Sequence, residues 1–373
     1  MNGRKMHWIP YGFCGYAAAL AVQFVLMPPD WNGSGTMVPY LAMPILTLLF
    51  GPYLLVPRGA WIGSGDWWWL LKVLPLYAAH LWFFWGLLSR PGLVKSARHS
   101  KARLTFEFGL VAVWSALGVW FAVPVAERIE LHVGDGKLPG DPVRLAVVSD
   151  LHSCRYGDGQ RGLVELVESQ RPDVVLMVGD IFDDRLPDGP THDFVTEMVK
   201  RHPCVYVTGN HEFWSLRVFG MIGWMENAGV AVLREDCRTL AVNGNVIDFC
   251  GVDDPTEMTE GYWTELLESA YAKSNPAHLR ILLSHRPEYP ETYAKFDYDL
   301  VLAGHAHGGQ WRCPFVNRGT FAPDQWFFPK YVDGLYRLAN GSPMIVSCGL
   351  ARESSPIPRF FNHPEVLFVD LVK

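Results

Sequence analysis

Residues 143–152 read VRLAVVSDLH, an unbroken apolar and β-branched run that stops abruptly at Asp150-Leu151-His152. A run with no polar alternation predicts a strand covered on both faces. Four later runs end the same way: 173–179 before Asp180, 204–208 before Asn210-His211, 281–284 before His285, and 299–303 before His305 and His307. The pattern predicts five strands that deliver Asp, His or Asn to one edge. Helical spacing of apolar positions falls between them, over 160–170, 193–201 and 216–228. Strand alternating with helix predicts an α/β fold with short crossovers. Three short runs, 230–233, 239–242 and 246–251, with an Asn243-Gly244 turn, predict antiparallel hairpins.

The first third of the chain follows a different pattern. Residues 11–27, 38–56, 67–88 and 108–125 are long apolar stretches, and only Lys72 breaks their lack of charge. They predict three or four membrane spans, the second weakened by Pro39, Pro44 and Pro52. The tryptophans that open the third suit a membrane interface. The loop 89–103 carries Arg90, Lys95, Arg98, Lys101 and Arg103, which predicts that it stays cytoplasmic and that the last span exits. The expected organisation is a transmembrane region over 1–126, a linker over 127–142 containing Gly134, Gly136, Pro139 and Gly140, and a catalytic domain over 143–373. The expected location is a bacterial inner membrane, with the catalytic domain outside the cytoplasm.

Charge sharpens this division. Residues 1–126 hold nine Lys/Arg against three Asp/Glu and ten of the 15 tryptophans; the remainder holds 23 against 35, a net −12. An acidic body argues against a nucleic-acid partner, because phosphate backbones are gripped by basic surfaces. The seven cysteines lack the close spacing of a structural zinc site. Six lie in the second part; their even number permits disulfides, although Cys204 and Cys250 sit in apolar runs where buried thiols are the commoner case.

Asp150, His152, Asp180, Asn210, His285, His305 and His307 supply seven oxygen and nitrogen donors, more than one first-row ion takes. They suit two divalent ions sharing a carboxylate. Imidazole, carboxylate and amide donors without thiolate point to Mn²⁺, Fe²⁺ or Zn²⁺. The order D-x-H (Asp150, His152), G-D-x-x-D (Gly179, Asp180, Asp183), G-N-H-E (Gly209 to Glu212), His285, and G-H-x-H (Gly304, His305, His307) resembles the calcineurin-like metallophosphoesterases. The continuation G-H-A-H-G-G-Q is similar to a branch attached to bacterial membranes by N-terminal helices.

The resemblance implies a two-sheet sandwich flanked by helices, with metals at the strand ends. It implies that Asp150, His152, Asp180 and His307 hold one ion, and Asp180, Asn210, His285 and His305 the other. It implies that His211 takes the place of the histidine that protonates the leaving oxygen or stabilises the pentavalent transition state, tasks imidazole suits because it titrates near neutrality. Glu212 and Asp183 are expected to orient imidazoles. Two ions at this site imply a metal-activated hydroxide attacking a phosphodiester or pyrophosphate in line. Members of the resembled branch include phosphodiesterases and hydrolases of UDP-2,3-diacylglucosamine in lipid A synthesis, so an amphiphilic, lipid-linked substrate is expected. Residues 310–336, rich in aromatic and basic side chains, are expected to frame it, with Trp311 and Arg312 as candidate contacts. A catalytically silent scaffold, or a membrane sensor or transporter with a phosphoesterase output, are the alternatives. Two departures stand out: Ala306 within G-H-x-H, and Cys348 where the family pattern expects arginine.

Overall fold

The computed structural model describes residues 123–134, 136–310, 312, 319–352, 359 and 361–373. The predicted spans lie outside the described residues except for the end of the fourth, where Val125 opens a strand. No helix among the described residues is long and apolar enough to cross a membrane.

The strands in chain order are β1 (Val125–His132), β2 (Val143–Val148), β3 (Val174–Val178), β4 (Cys204–Val207), β5 (Ala231–Val232), β6 (Asp236–Val242), β7 (Asn245–Gly251), β8 (Leu279–Leu283), β9 (Leu300–Ala303), β10 (Phe321–Ala322), β11 (Trp326–Phe327), β12 (Gly334–Arg337), β13 (Pro343–Val346) and β14 (Glu365–Val372). The helices are α1 (Arg161–Gln170), α2 (Gly189–Val199), α3 (Asn210–Trp214), α4 (Val218–Ala228), α5 (Glu260–Ala272) and α6 (Pro290–Tyr293). One mixed six-stranded sheet runs β1-β14-β2-β3-β4-β5; the other runs β12-β13-β9-β8-β7-β6. A separate two-stranded hairpin is formed by β10 and β11.

The unbroken apolar runs have a direct cause. Leu145, Val147, Leu176, Val178, Val205 and Val207 of the first sheet pack against Ile247, Phe249, Ile281, Leu283, Leu302 and Ile345 of the second. The alternate residues on the first sheet, among them Ala146, Val148, Val175, Met177 and Tyr206, face Leu163, Phe194, Met198 and Met225 of α1, α2 and α4. On the second sheet Cys250, Leu282 and Val301 pack with Trp263 and Leu267 of α5. Each such aliphatic or aromatic side chain contributes roughly 1.5–3 kcal/mol when fully buried. The central strands of both sheets are therefore covered on both faces, which yields the expected sandwich.

Two expectations are corrected, and one question left open is settled. The stretch read as a linker begins as strand: β1 pairs in parallel with β14 along its whole length, Val125 to Glu365 through His132 to Val372. Its alternation of charged and apolar residues fits an edge strand with one solvated face. Residues 231–232 form no hairpin; β5 runs parallel to β4 in the first sheet, carried there by α4. The β6–β7 hairpin is antiparallel as expected, and it places Cys237 opposite Cys250, where they form a disulfide instead of leaving Cys250 a buried thiol.

The disulfide closes a short loop whose tethering of the unfolded chain is worth about 3 kcal/mol. Reduction with dithiothreitol should lower the melting temperature of the purified protein. A Cys237→Ser/Cys250→Ser variant should melt at the lower temperature with or without reductant. Equal melting of oxidised and reduced wild type would show that the bridge contributes nothing.

Candidate metal centre

The loops after β2, β3, β4, β8 and β9 carry Asp150 and His152, Asp180, Asn210, His285, and His305 and His307. All but the partly exposed His307 are buried. The loops hold their shape at a cost: Asp150, His152, Asp180, His305 and His307 all have positive φ, between 47° and 64°. Non-glycine residues in this region cost roughly 1–3 kcal/mol each and persist only where the surroundings over-determine them.

The side chains meet in groups that can hold a metal: Asp150, His152 and His307; and Asp180, His285 and His305. His307 Nε2 lies 3.3 Å from Asp150 Oδ1 and 3.3 Å from His152 Nε2. Asp180 Oδ2 lies between the groups, 3.1 Å from His285 Nε2 and 3.6 Å from His152 Nε2. The donor set fits ions on an independent ground. Buried Asn210 Oδ1 and His285 Nε2 have no hydrogen-bond partner among the described residues, although His285 Nδ1 is fixed 2.8 Å from the Val178 carbonyl. An amide oxygen without a hydrogen-bond partner and a ring nitrogen set against the Asp180 carboxylate, both buried, are expected of metal ligands.

The glycines of the motifs are explained by close approach. A Cβ on Gly209 would lie 2.3 Å from Asp180 Oδ1, and one on Gly179, whose φ is +78°, would lie 2.4 Å from His285 Nδ1. Only a bare backbone lets the strand-end loops bring these residues together.

Glu212 departs from expectation. Its carboxylate orients no imidazole; it accepts hydrogen bonds from the backbone N–H groups of Asp180 (3.0 Å), Ile181 (2.8 Å), Phe182 (2.9 Å) and Gly209 (2.8 Å). It is a buried strut between the β3 and β4 loops. Burial, with the Asp180 charge, pushes its pKa up. Asp183 does orient an imidazole, with Oδ2 3.2 Å from His152 Nδ1, and it also caps its own turn at Arg185 and Leu186. Burial opposes its charge, yet His152 holds it down at about 2.

His211 is placed beside the two groups. Its backbone N–H donates to Asp180 Oδ1 at 2.8 Å, its ring lies edge-on to His152 at 4.3 Å, and its Nδ1 sits 2.7 Å from Asp184 Oδ1. Sequence reasoning missed Asp184, although it directly follows Asp183. It also missed Arg286, which holds Asp254 through Nε at 2.7 Å and Nη2 at 3.1 Å, and Asp324, whose Oδ2 lies 3.0 Å from His305 Nε2. Arg286, adjacent to His285, was the readable signal; Asp254 and Asp324 lie too far along the chain for spacing to reveal.

Trp311 lies outside the described residues. Arg312 is tied to protein groups: Nε donates to the Gly308 carbonyl at 3.2 Å, and Nη2 lies 2.8 Å from Asp333 and 3.1 Å from Cys348 Sγ. Arg312 and Cys348 thus brace the His307 loop from behind, where Asn362 Nδ2 also donates to the His307 carbonyl at 2.7 Å.

Burial disfavours charge on His152 and His285, but neighbouring carboxylates prevail, Asp183 and Asp180 raising His152 to about 9 and Asp180 raising His285 to about 10. Burial instead dominates at His307, which falls to about 4. Asp180 resists the upward push of burial and is held well below its ordinary range by His285, His211 and His152. Metal-free protein at neutral pH therefore carries protons on His152 and His285 that ions must displace, so loading should release about two protons per site pair. Calorimetric titration with Mn²⁺ in buffers of differing ionisation enthalpy measures this number, and zero release would contradict the geometry. The sign for stability follows: both raised groups stabilise the metal-free fold fully below their ordinary 6.5, and this is lost as pH rises through about 9 and about 10. Metal-free protein should lose melting temperature across that range.

Comparison with known proteins agrees with this centre. Residues 143–309 match the calcineurin-like phosphoesterase family. An uncharacterized metallophosphoesterase of Campylobacter jejuni, Cj0846, is 26% identical over 286 residues, covering 72% of this chain and 70% of that one. Protein YpbG of Bacillus subtilis is 28% identical over 232 residues, 62% of this chain and 81% of its own. Phosphodiesterase YaeI of Escherichia coli is 28% identical over 208 residues, 52% of this chain and 70% of its own. The family works with two divalent ions, and the paired Asp/His groups are among the described residues that could hold them. Residues 143–309 carry a calcineurin-like phosphoesterase domain, and relatives named metallophosphoesterase and phosphodiesterase support a metal-dependent phosphoester hydrolase.

Proposed function

We propose that this chain is a membrane-anchored hydrolase that cleaves a phosphodiester or pyrophosphate bond in an amphiphilic substrate. The observation that carries the reading is the position of Asp180, shared between two groups of imidazole and carboxylate donors. Asp150, His152, Asp180 and His307 would hold one ion, and Asp180, Asn210, His285 and His305 the other. When bound, two such ions lower the pKa of water and neutralise charge building on a phosphoryl group.

The chain's own residues do the rest. Asp183 and Asp184 fix the rings of His152 and His211. With Nδ1 of His211 engaged by Asp184, Nε2 is the nitrogen left to give a proton to the departing oxygen as the P–O bond breaks and water supplies the new oxygen. The name of the E. coli relative, phosphodiesterase YaeI, supports the diester class.

Two observations bear on substrate and side. Exposed apolar side chains gather near the centre: Trp214 lies 4.8 Å from the His211 ring, and Trp326, Phe327 and Phe328 sit on the hairpin that carries Asp324. Such side chains suit the apolar part of an amphiphile. The Cys237–Cys250 disulfide supports an oxidising compartment, in keeping with residues 1–126 as an anchor and the catalytic domain outside the cytoplasm. That side favours an extracytoplasmic lipid or glycan phosphoester over UDP-2,3-diacylglucosamine, which is made in the cytoplasm.

The test is hydrolysis by detergent-purified full-length protein with Mn²⁺, on UDP-2,3-diacylglucosamine and on a generic phosphodiester. The diester should be hydrolysed and EDTA should abolish the reaction. His211→Ala should lower kcat by about 10²–10⁴ while Mn²⁺ still binds. Release of UMP from the nucleotide lipid at comparable rate would reverse the proposed side, and silence on both substrates with metal bound would sink the hydrolase reading for them.

A further inference from the structure

The β10–β11 hairpin stands apart from both six-stranded sheets, and its strands are only two residues each. Isolated two-stranded hairpins are marginally stable. Asp324, Trp326 and Phe328 all have positive φ, at 57°, 60° and 56°, so the turn is also strained. Its attachments include a bond from Thr320 N–H to the Gly309 carbonyl at 3.0 Å and one from the Gln325 side chain to the Tyr331 carbonyl at 2.7 Å. The exposed aromatic side chains lie on its outer side, and one polar side chain, Asp324, reaches inward.

The Asp324 side chain is 55% exposed, whereas its partners His305 and Arg286 are buried. Its Oδ2 meets His305 Nε2 at 3.0 Å and is also held by Arg286 Nη1. The Arg286 guanidinium can only donate, so the Asp324 carboxylate paired with it is an acceptor towards both neighbours. The proton in the 3.0 Å contact therefore sits on Nε2 of His305. Arg286 Nη1 approaches the same nitrogen only to 3.4 Å and already donates to the carboxylate. Nδ1 is then the ring nitrogen without a proton, and the His305 backbone N–H, bonded to Asp150 at 3.0 Å, ties the residue to the centre.

We propose that Asp324 is a positioning residue: by holding the proton on Nε2 it presents His305 Nδ1 to one ion of the pair, and it makes the seating of an exposed aromatic hairpin a condition for binding that ion. The inference rests on the two-ion reading of the site. It assigns the control of one ion to the segment that carries the exposed Trp326, Phe327 and Phe328.

The experiment is Mn²⁺ binding to detergent-purified full-length protein, followed by calorimetry and by the spin–spin coupling of the Mn²⁺ pair in electron paramagnetic resonance. Asp324→Ala should weaken one of the two binding steps by about 10–100-fold and abolish the coupled signal at limiting Mn²⁺. Asp324→Asn keeps an acceptor for Nε2–H and should fall between wild type and Asp324→Ala. Metal-free melting of each variant, measured alongside, separates the loss of one binding step from a loss of fold. Two unchanged binding steps in Asp324→Ala, or equal weakening of both, would overturn the proposal. Failure of wild type to bind two ions would instead strike the two-ion reading on which it rests.

Discussion

Four backbone N–H groups converging on the buried Glu212 carboxylate are the interaction on which the centre depends. They tie the loop after β3 to the loop after β4, and so set Asp180 against Asn210 and His211. A carboxylate buried this deeply is costly unless its lone pairs are filled, and here the backbone fills them. The strained left-handed residues that follow from this packing are tolerated because the two sheets and their helices leave the loops no other course. Loss of that one side chain would leave four donors unpaired beside Asp180.

Much of this was legible in the chain, and the reason is local. A strand buried on both faces must be apolar throughout, so the polar residues after it mark the strand end, and five such ends brought out the seven candidate donors. Helices α1, α2 and α4 were legible from spacing, with shifts of a few residues at their starts. The antiparallel pairing of 239–242 with 246–251 followed from the Asn243-Gly244 turn. Counting outward from that turn also pairs Cys237 with Cys250, a signal present in the sequence but overshadowed by the apolar run around Cys250.

What remained hidden was set by tertiary packing. The β1–β14 pairing joins residues more than 200 positions apart, and no local periodicity encodes such a partner. Glu212 was read as orienting a ring because its neighbours are ligand types; its four bonds go to backbone, which carries no sequence signature. Asp324 and Asp254 reach the site only because their loops fold over Arg286 and His305. Arg312, basic and close to the G-H-x-H motif, looked available for phosphate, yet Asp333, Cys348 and the Gly308 carbonyl hold its guanidinium.

The central claim is that Asp180 is shared by two ions held at the junction of the sheets. Diffraction from crystals of the Mn²⁺-loaded protein, with anomalous scattering at the manganese edge, tests it most directly. The account predicts two peaks flanking the Asp180 carboxylate, one against Asp150, His152 and His307 and one against Asn210, His285 and His305. A single peak, or a pair that leaves Asp180 or Asn210 without contact, would contradict it.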